Sequence, residues 1–154
     1  MAGDAEGRSG TGAVGAAMRV GRVAEHRHVE ERSRFHAVVF PAADEEDVAA
    51  RVRVARAEHR KANHHCWALR CRDGSGALVE RAKDDGEVGH PGRVLLELLR
   101  RHELEGALLV SRVFGGVKLG VGGVSRAFRA AGAGAIAVLL SSLRTPDPGP
   151  QTPS

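Results

Sequence analysis

A chain of 154 residues with 42% hydrophobic residues has room for one core of ordinary size, not for several large domains. Aromatic residues make up only 3%, so valine, leucine and alanine must build that core. The net charge of +4 lies wholly within residues 31–143, an excess that permits contact with nucleic acid but does not demand it.

Residues 1–18 are rich in glycine, alanine and small polar residues, and are expected to form a disordered tail. The N-terminus lacks the basic-then-apolar order of a secretory leader. Residues 20–28 are predicted as a first strand and residues 35–40 as a second, ended by Pro41. Asp44 is placed to cap a helix whose first turn is acidic (Glu45, Glu46, Asp47) and whose later turns are basic (Arg51, Arg53, Arg56, Arg60), an order that suits the helix dipole. Val48, Val52 and Ala55 form its buried stripe. Residues 66–72 and 77–81 read as a hairpin around Asp73-Gly74-Ser75-Gly76. Cys66 and Cys71, five apart on one strand, should point to opposite faces and not form a disulfide. Free thiols fit a reducing compartment. Pro91 can open a helix with Leu95, Leu98, Leu99 and His102 near its inner face. A strand over 107–114 and a helix over 124–140 complete an α/β alternation. The longest apolar run, 131–140, is too short to span a membrane, so a cytoplasmic protein without membrane contacts is expected. Residues 144–154 form a proline-rich tail.

Two segments concentrate polar and glycine-rich character. One is the acidic turn Asp84-Asp85-Gly86-Glu87. The other is the loop from Phe114 to Gly123, which contains Gly115, Gly116, Lys118, Gly120, Gly122 and Gly123. Glycine lets backbone approach closely, and the N–H groups opening a helix attract anions. The loop fits neither common phosphate-binding pattern. Val121 stands where a P-loop needs lysine, and Ser125 where the dinucleotide fingerprint needs its third glycine. Anion binding and tight packing therefore stand level as readings of it. The three carboxylates of the turn suit magnesium, or equally the N–H groups of the helix that starts near Pro91. His64, His65 and Cys66 lack the spacing of a zinc site. His64 is expected to hydrogen-bond the acidic turn or the glycine loop, His65 and Cys66 to be sheet residues and Trp67 to be core. Ser111 and Ser125 have no triad context.

These blocks occur in a fixed order: Ser33-Arg34-Phe35, then Ala62-Asn63-His64-His65-Cys66-Trp67-Ala68, then Asp84-Asp85-Gly86-Glu87, then Arg112-Val113-Phe114-Gly115-Gly116-Val117-Lys118-Leu119-Gly120. Together they resemble the N-terminal domain of the IMPACT/YigZ family over residues 19–143. Asn63 departs from the usual threonine or serine, and Val113 from an aromatic residue. The resemblance implies an α+β two-layer sandwich, a mixed or antiparallel sheet covered by two main helices, similar to domain four of elongation factor G and its ribosomal-protein relatives. It implies this domain alone, without the second domain of bacterial relatives or the RWD domain of eukaryotic ones. It also implies a non-enzymatic regulator of translation and the stress response that contacts a translation-associated protein. Eukaryotic relatives restrain the amino-acid-starvation kinase by competing for its activator.

The expected recognition cleft comprises His64, Asp84, Asp85, Glu87, Arg112, Gly115, Gly116, Lys118, Gly120, Gly122 and Gly123. Arg126 and Arg129, three apart on one helix face, form a basic rim for weak RNA or DNA contact. No catalytic residue, metal ligand or cofactor is assigned. The alternative is a small metal-assisted phosphate-ester hydrolase using His64, Asp84, Asp85, Glu87 and Lys118, with magnesium as its cofactor.

Overall fold

The computed structural model describes residues 17–144. The tails expected over 1–18 and 144–154 lie almost wholly outside the described residues. Strands β2 (Ala24–Glu30) and β3 (Ser33–Phe40) form a hairpin. Its two-residue turn, Glu31-Arg32, has φ of 47° and 68°. Two left-handed residues match the twist of the flanking strands. Neither is glycine or asparagine, so the sequence carries no turn signal here. That is why the first strand, expected over 20–28, instead begins at Ala24 and runs to Glu30.

Helix α1 (Glu45–Glu58) starts as predicted. The Asp44 carboxylate accepts the Asp47 N–H at 2.9 Å, and the Asp47 carboxylate accepts the Ala43 N–H at 2.8 Å. Two otherwise unpaired donors are thereby satisfied. Strands β4 (His64–Arg72) and β5 (Leu78–Lys83) form the second hairpin. Helix α2 (Pro91–Arg101) has Pro91 in its first turn and buries Leu95, Leu98 and Leu99. His102 is not on its inner face. It is exposed and caps the C-terminus, because the helix ends one residue before it.

Strand β6 (Leu104–Val113) is central and buried nearly throughout. The short β1 (Met18–Arg19) pairs with it in parallel, and all other pairings are antiparallel, in the order β2-β3-β6-β4-β5. The sheet is therefore mixed. Helix α3 (Gly120–Arg144) starts four residues before the predicted 124. Three glycines in its first turn lowered its apparent helix propensity. At 25 residues it is long and apolar enough to cross a membrane by length and composition, contrary to the reading of 131–140. Its inner stripe, including Val124, Phe128, Ala131, Ala135 and Ile136, is nevertheless buried against the sheet, as in a core helix.

Alternation along the strands divides the core in two. Phe35, Ala37, Val39, Cys66, Ala68, Leu108 and Val110 face α2 and α3. Phe40, Leu69, Cys71, Ala107 and Leu109 face α1, with Trp67 half-buried beside them. The two main helices thus cover one face, as expected, and α1 is an additional element on the other. Cys66 and Cys71 are free and lie in opposite cores, as their five-residue spacing requires. The first core centres on Phe128, which meets Phe35 edge-on with ring centroids 5.2 Å apart. Phe128→Ala should lower unfolding free energy by about 3–5 kcal/mol in urea titration, the range for an unfilled aromatic cavity. A loss below about 1 kcal/mol would show that this core collapses easily around the gap.

Candidate functional site

The acidic turn, the His64 block and the glycine loop meet at one end of the sheet, on the α2/α3 face. Phe35, Arg112 and His64 form a single cross-strand row. Arg112 is only 6% exposed. Its guanidinium lies 5.4 Å from the Phe35 ring centre and 5.6 Å from that of Phe114. Nη1 donates to the Glu87 carboxylate at 2.9 Å. Nη2 donates to the Ser33 hydroxyl at 3.4 Å, while Nε is buried with no hydrogen-bond partner among the described residues. A buried guanidinium requires such a counter-charge, and Glu87 supplies it.

The acidic turn is tight. Asp85 and Gly86 have φ of 52° and 78°, and the Glu87 N–H reaches the Asp84 carbonyl at 3.0 Å. Asp-Gly is a favoured pair for such a turn. Each carboxylate is engaged by a protein donor. Asp84 accepts the Gly92 N–H of α2 at 2.8 Å, the helix-end role that the sequence allowed. Asp85 accepts the His65 N–H at 2.8 Å, and Glu87 holds Arg112. His64 donates from Nδ1 to the Asp85 carbonyl at 2.9 Å, as expected of it. That bond leaves Nε2 3.8 Å from Glu87. Cys66 donates its thiol to the Asp84 carbonyl at 3.1 Å. Burial above all, then the nearby carboxylates, pushes its pKa up, so it stays a thiol. Among the described residues, no group of three or more His, Cys, Asp or Glu is arranged to hold a metal ion.

The glycine loop is fastened from three sides. Ser33 is fully buried, and its hydroxyl accepts the Gly115 N–H at 3.1 Å. Gly115 lies so close to the backbone of Arg32 and Ser33 that a Cβ would overlap it. Asn63 Oδ1 accepts the Phe114 N–H at 3.0 Å, so this departure from the family pattern has a defined role. Val113, the other departure, is buried. On the far side, Ser125 of α3 donates to the Gly89 carbonyl at 2.7 Å. Gly116 and Gly120 are left-handed, at φ of 90° and 73°.

The structure therefore joins His64, Asp84, Asp85, Glu87, Arg112 and Gly115 directly. Gly120, Gly122 and Gly123 open α3 instead of belonging to a loop. Lys118 is exposed and makes no ion pair or hydrogen bond among the described residues. Arg126 and Arg129 are exposed on α3, and the Arg126 guanidinium folds back over Gly122. Ser33, Asn63 and Ser125 were not among the expected cleft residues, although each anchors it. Ser33 and Asn63 head strand-bearing blocks, which is the one sequence signal they carry. An open cavity of about 240 Å³ lies over Asn63, His64, Arg112 and Phe114.

This arrangement defines a small domain whose polar blocks brace a glycine-rich turn. The Impact N-terminal domain matches residues 31–136, and the chain belongs to that family. It is 44% identical over 101 residues to an IMPACT family member encoded beside the pol gene of Thermus thermophilus, covering 64% of this chain and 51% of that protein. It is 35% identical over 106 residues to the IMPACT family member YvyE of Bacillus subtilis, covering 68% and 48%. The chain thus spans about half the length of these relatives. A solved hypothetical protein superposes with a TM-score of 0.68 and 29% identity, over 75% of this chain and 57% of its own.

Removing one partner of the buried pair should be severe. Glu87→Ala leaves the Arg112 charge unpaired and should cost about 3–5 kcal/mol. The double variant Arg112→Met with Glu87→Leu should recover most of that loss in urea titration. A double variant as unstable as the single one would show that the pair itself, and not the orphaned charge, holds the fold.

Proposed function

We propose that the chain is a non-enzymatic, cytoplasmic regulator of translation and the stress response. It offers the braced end of the sheet to a translation-associated protein, with weak and sequence-independent RNA contact at its margin. The observation that carries this reading is the commitment of all three acidic-turn side chains to protein donors. Their bonds fix a scaffold, and what the scaffold shows to solvent is apolar and cationic. Val121 is 60% exposed and Phe114 46%, with Val88 and Val117 also exposed. Gly89 lies against Val121 and Ser125, so these apolar residues occupy adjoining segments. Lys118 next to Val117 and Arg126, whose guanidinium lies over Gly122 beside Val121, add exposed cations, and Arg129 is exposed further along α3. Apolar contacts with a charged margin are the usual composition of a recognition surface. A hydrolase would instead need carboxylates with free lone pairs converging on one metal position. The family resemblance supplies translation as the setting.

Three measurements test this. The full chain should co-sediment with ribosomal fractions of a translating extract after RNase treatment, and Val121→Asp or Phe114→Asp should abolish that. Any RNA binding should weaken with rising salt and fall further with Lys118→Ala and Arg126→Ala. Magnesium at millimolar concentration should leave the melting temperature unchanged, while Asp85→Asn lowers it. A magnesium-dependent rise that disappears in Asp85→Asn would establish metal binding by mass action and make the hydrolase the better reading.

A further inference from the structure

Strand β2 is an edge of the sheet. It pairs with β3 on one side, and among the described residues no strand pairs with its other side. The Glu31-Arg32 turn closes the hairpin on the pair Glu30–Ser33, which in a two-residue hairpin exchanges both backbone hydrogen bonds. Bonding alternates from there, so Glu30, His28, His26 and Ala24 bond toward β3. The N–H and C=O groups of Glu25, Arg27 and Val29 therefore point outward from the edge. The side chains of these three residues are exposed on the face that carries α1. His26 points to the other face, where its ring packs so closely on Gly134 of α3 that a Cβ there would overlap it.

The sequence around His26 is symmetric in size and inverted in charge. Val23 and Glu25 precede it at the distances at which Val29 and Arg27 follow. A two-fold axis perpendicular to the sheet would pair two β2 strands antiparallel and keep each face continuous. Successive residues alternate between faces, so only an axis through a residue opposes side chains of the same face. Centred on His26, the axis sets Glu25 against Arg27 of the second copy and Arg27 against its Glu25. Val23 meets Val29, both of them exposed in the single chain, and Ala24 meets the larger His28. Other registers fail. Centring on Arg27 or Glu25 sets like charges face to face, which is unfavourable. Centring on His28 or Val29 runs into the Glu31-Arg32 turn, and centring on Ala24 runs off the start of the strand. The opposite edge, β5, offers no such match. No two-fold centre on it opposes Glu80 to Arg81 or Lys83, and Glu80 is already held by Arg70 and Arg100. Charge on an edge strand normally keeps other strands away. On β2 the order of those charges complements a second copy of itself.

We propose that β2 is a dimerisation edge, which pairs antiparallel with β2 of a second copy of this chain about a two-fold axis at His26. The sheet then runs unbroken through both copies, and the outward N–H and C=O groups of Glu25, Arg27 and Val29 gain partners. Helix α3 packs over β2, so the two copies of α3 come alongside each other on one face. The flank of α3 over this edge carries Gly134 against His26, with Ala130 and Val138 one turn to either side. Between Arg129 and Arg144 the helix has no charged residue, so the approach of the two helices sets no charge against another. Val138 is exposed in the single chain and would be covered there. The inference does not rest on the proposed role in translation, because it uses none of the residues of the braced site or of its apolar surface.

The test is sedimentation equilibrium of the full chain. The unaltered chain should show a monomer–dimer equilibrium. Arg27→Glu sets two carboxylates against each other at both symmetry-related positions and should raise the dimer Kd by about tenfold or more. Glu25→Arg should do the same by opposing two arginines. Both residues are exposed, so circular dichroism should show the fold unchanged in each variant. An equimolar mixture of the two variants should associate again, because every charged pair across the mixed interface is then Glu against Arg. The double variant Glu25→Arg with Arg27→Glu should likewise recover the original Kd. Val121→Asp and Phe114→Asp should leave the dimer intact, so this inference and the translation reading fail separately. A chain that stays monomeric at millimolar concentration overturns the proposal. So does a dimer that neither single variant weakens, or a mixture that associates no better than either variant alone.

Discussion

The buried Arg112–Glu87 pair is the constraint on which the rest of the site depends. Arg112 comes from the central strand, Glu87 from the acidic turn, and the Ser33 hydroxyl that also meets Arg112 from the first hairpin. Two aromatic rings from β3 and the glycine loop sandwich the guanidinium. Three segments distant in sequence, the first hairpin, the acidic turn and the end of β6 with its glycine loop, are thus positioned around one charge. A buried ion pair adds little net stability, since desolvation offsets most of its attraction. Its effect is geometric. A planar guanidinium with fixed donors admits few arrangements of its neighbours, and a misplaced turn leaves a charge unpaired in a low-dielectric interior. The pair selects one position for the turn more than it strengthens the fold.

The acidic turn shows how the same three carboxylates yield two different expectations. In sequence, Asp84, Asp85 and Glu87 are equally a magnesium cluster or a set of caps. In the folded turn, the left-handed Asp85-Gly86 pair sends the side chains to three different donors. Asp84 goes to α2, Asp85 to the start of β4 and Glu87 to the central strand. Each bond joins the turn to a separate element.

Much of this was legible in the residues and some was not. Asp44, Pro91 and the Asp73–Gly76 turn announce their elements by local chemistry, and all three appear where that chemistry puts them. The cleft residues were recognisable as blocks because each carries glycine, charge or histidine in an unusual combination. Three features had no local signal. The Glu31-Arg32 turn uses two residues that seldom adopt left-handed φ, and tertiary pairing imposes it. Helix α3 begins within a run of glycines whose propensity argues against helix, and the bond from Ser125 to Gly89 helps fasten that first segment. The placement of α1 opposite the other helices follows from connection and burial, and its mixed surface does not reveal which face of the sheet it will take.

The register of the three central strands explains why the polar residues gather at one end. Four consecutive rows across β3, β6 and β4 are apolar: Ala37-Val110-Cys66, Val38-Leu109-Trp67, Val39-Leu108-Ala68 and Phe40-Ala107-Leu69. They alternate between the two faces and carry both cores. The next two rows are Phe35-Arg112-His64 and His36-Ser111-His65. Here polar groups enter the sheet, and because strand neighbours point to opposite faces, one row opens on each side. The first becomes the braced site under α2 and α3. The second opens beside α1, where His36 and Ser111 line a groove of about 210 Å³. The two lie back to back and meet at Asp85, whose carboxylate accepts the backbone N–H of His65 while its carbonyl accepts His64. Four apolar rows suffice to hold the sheet, which leaves the remaining end able to carry buried charge and histidine that a core of this size would not otherwise tolerate.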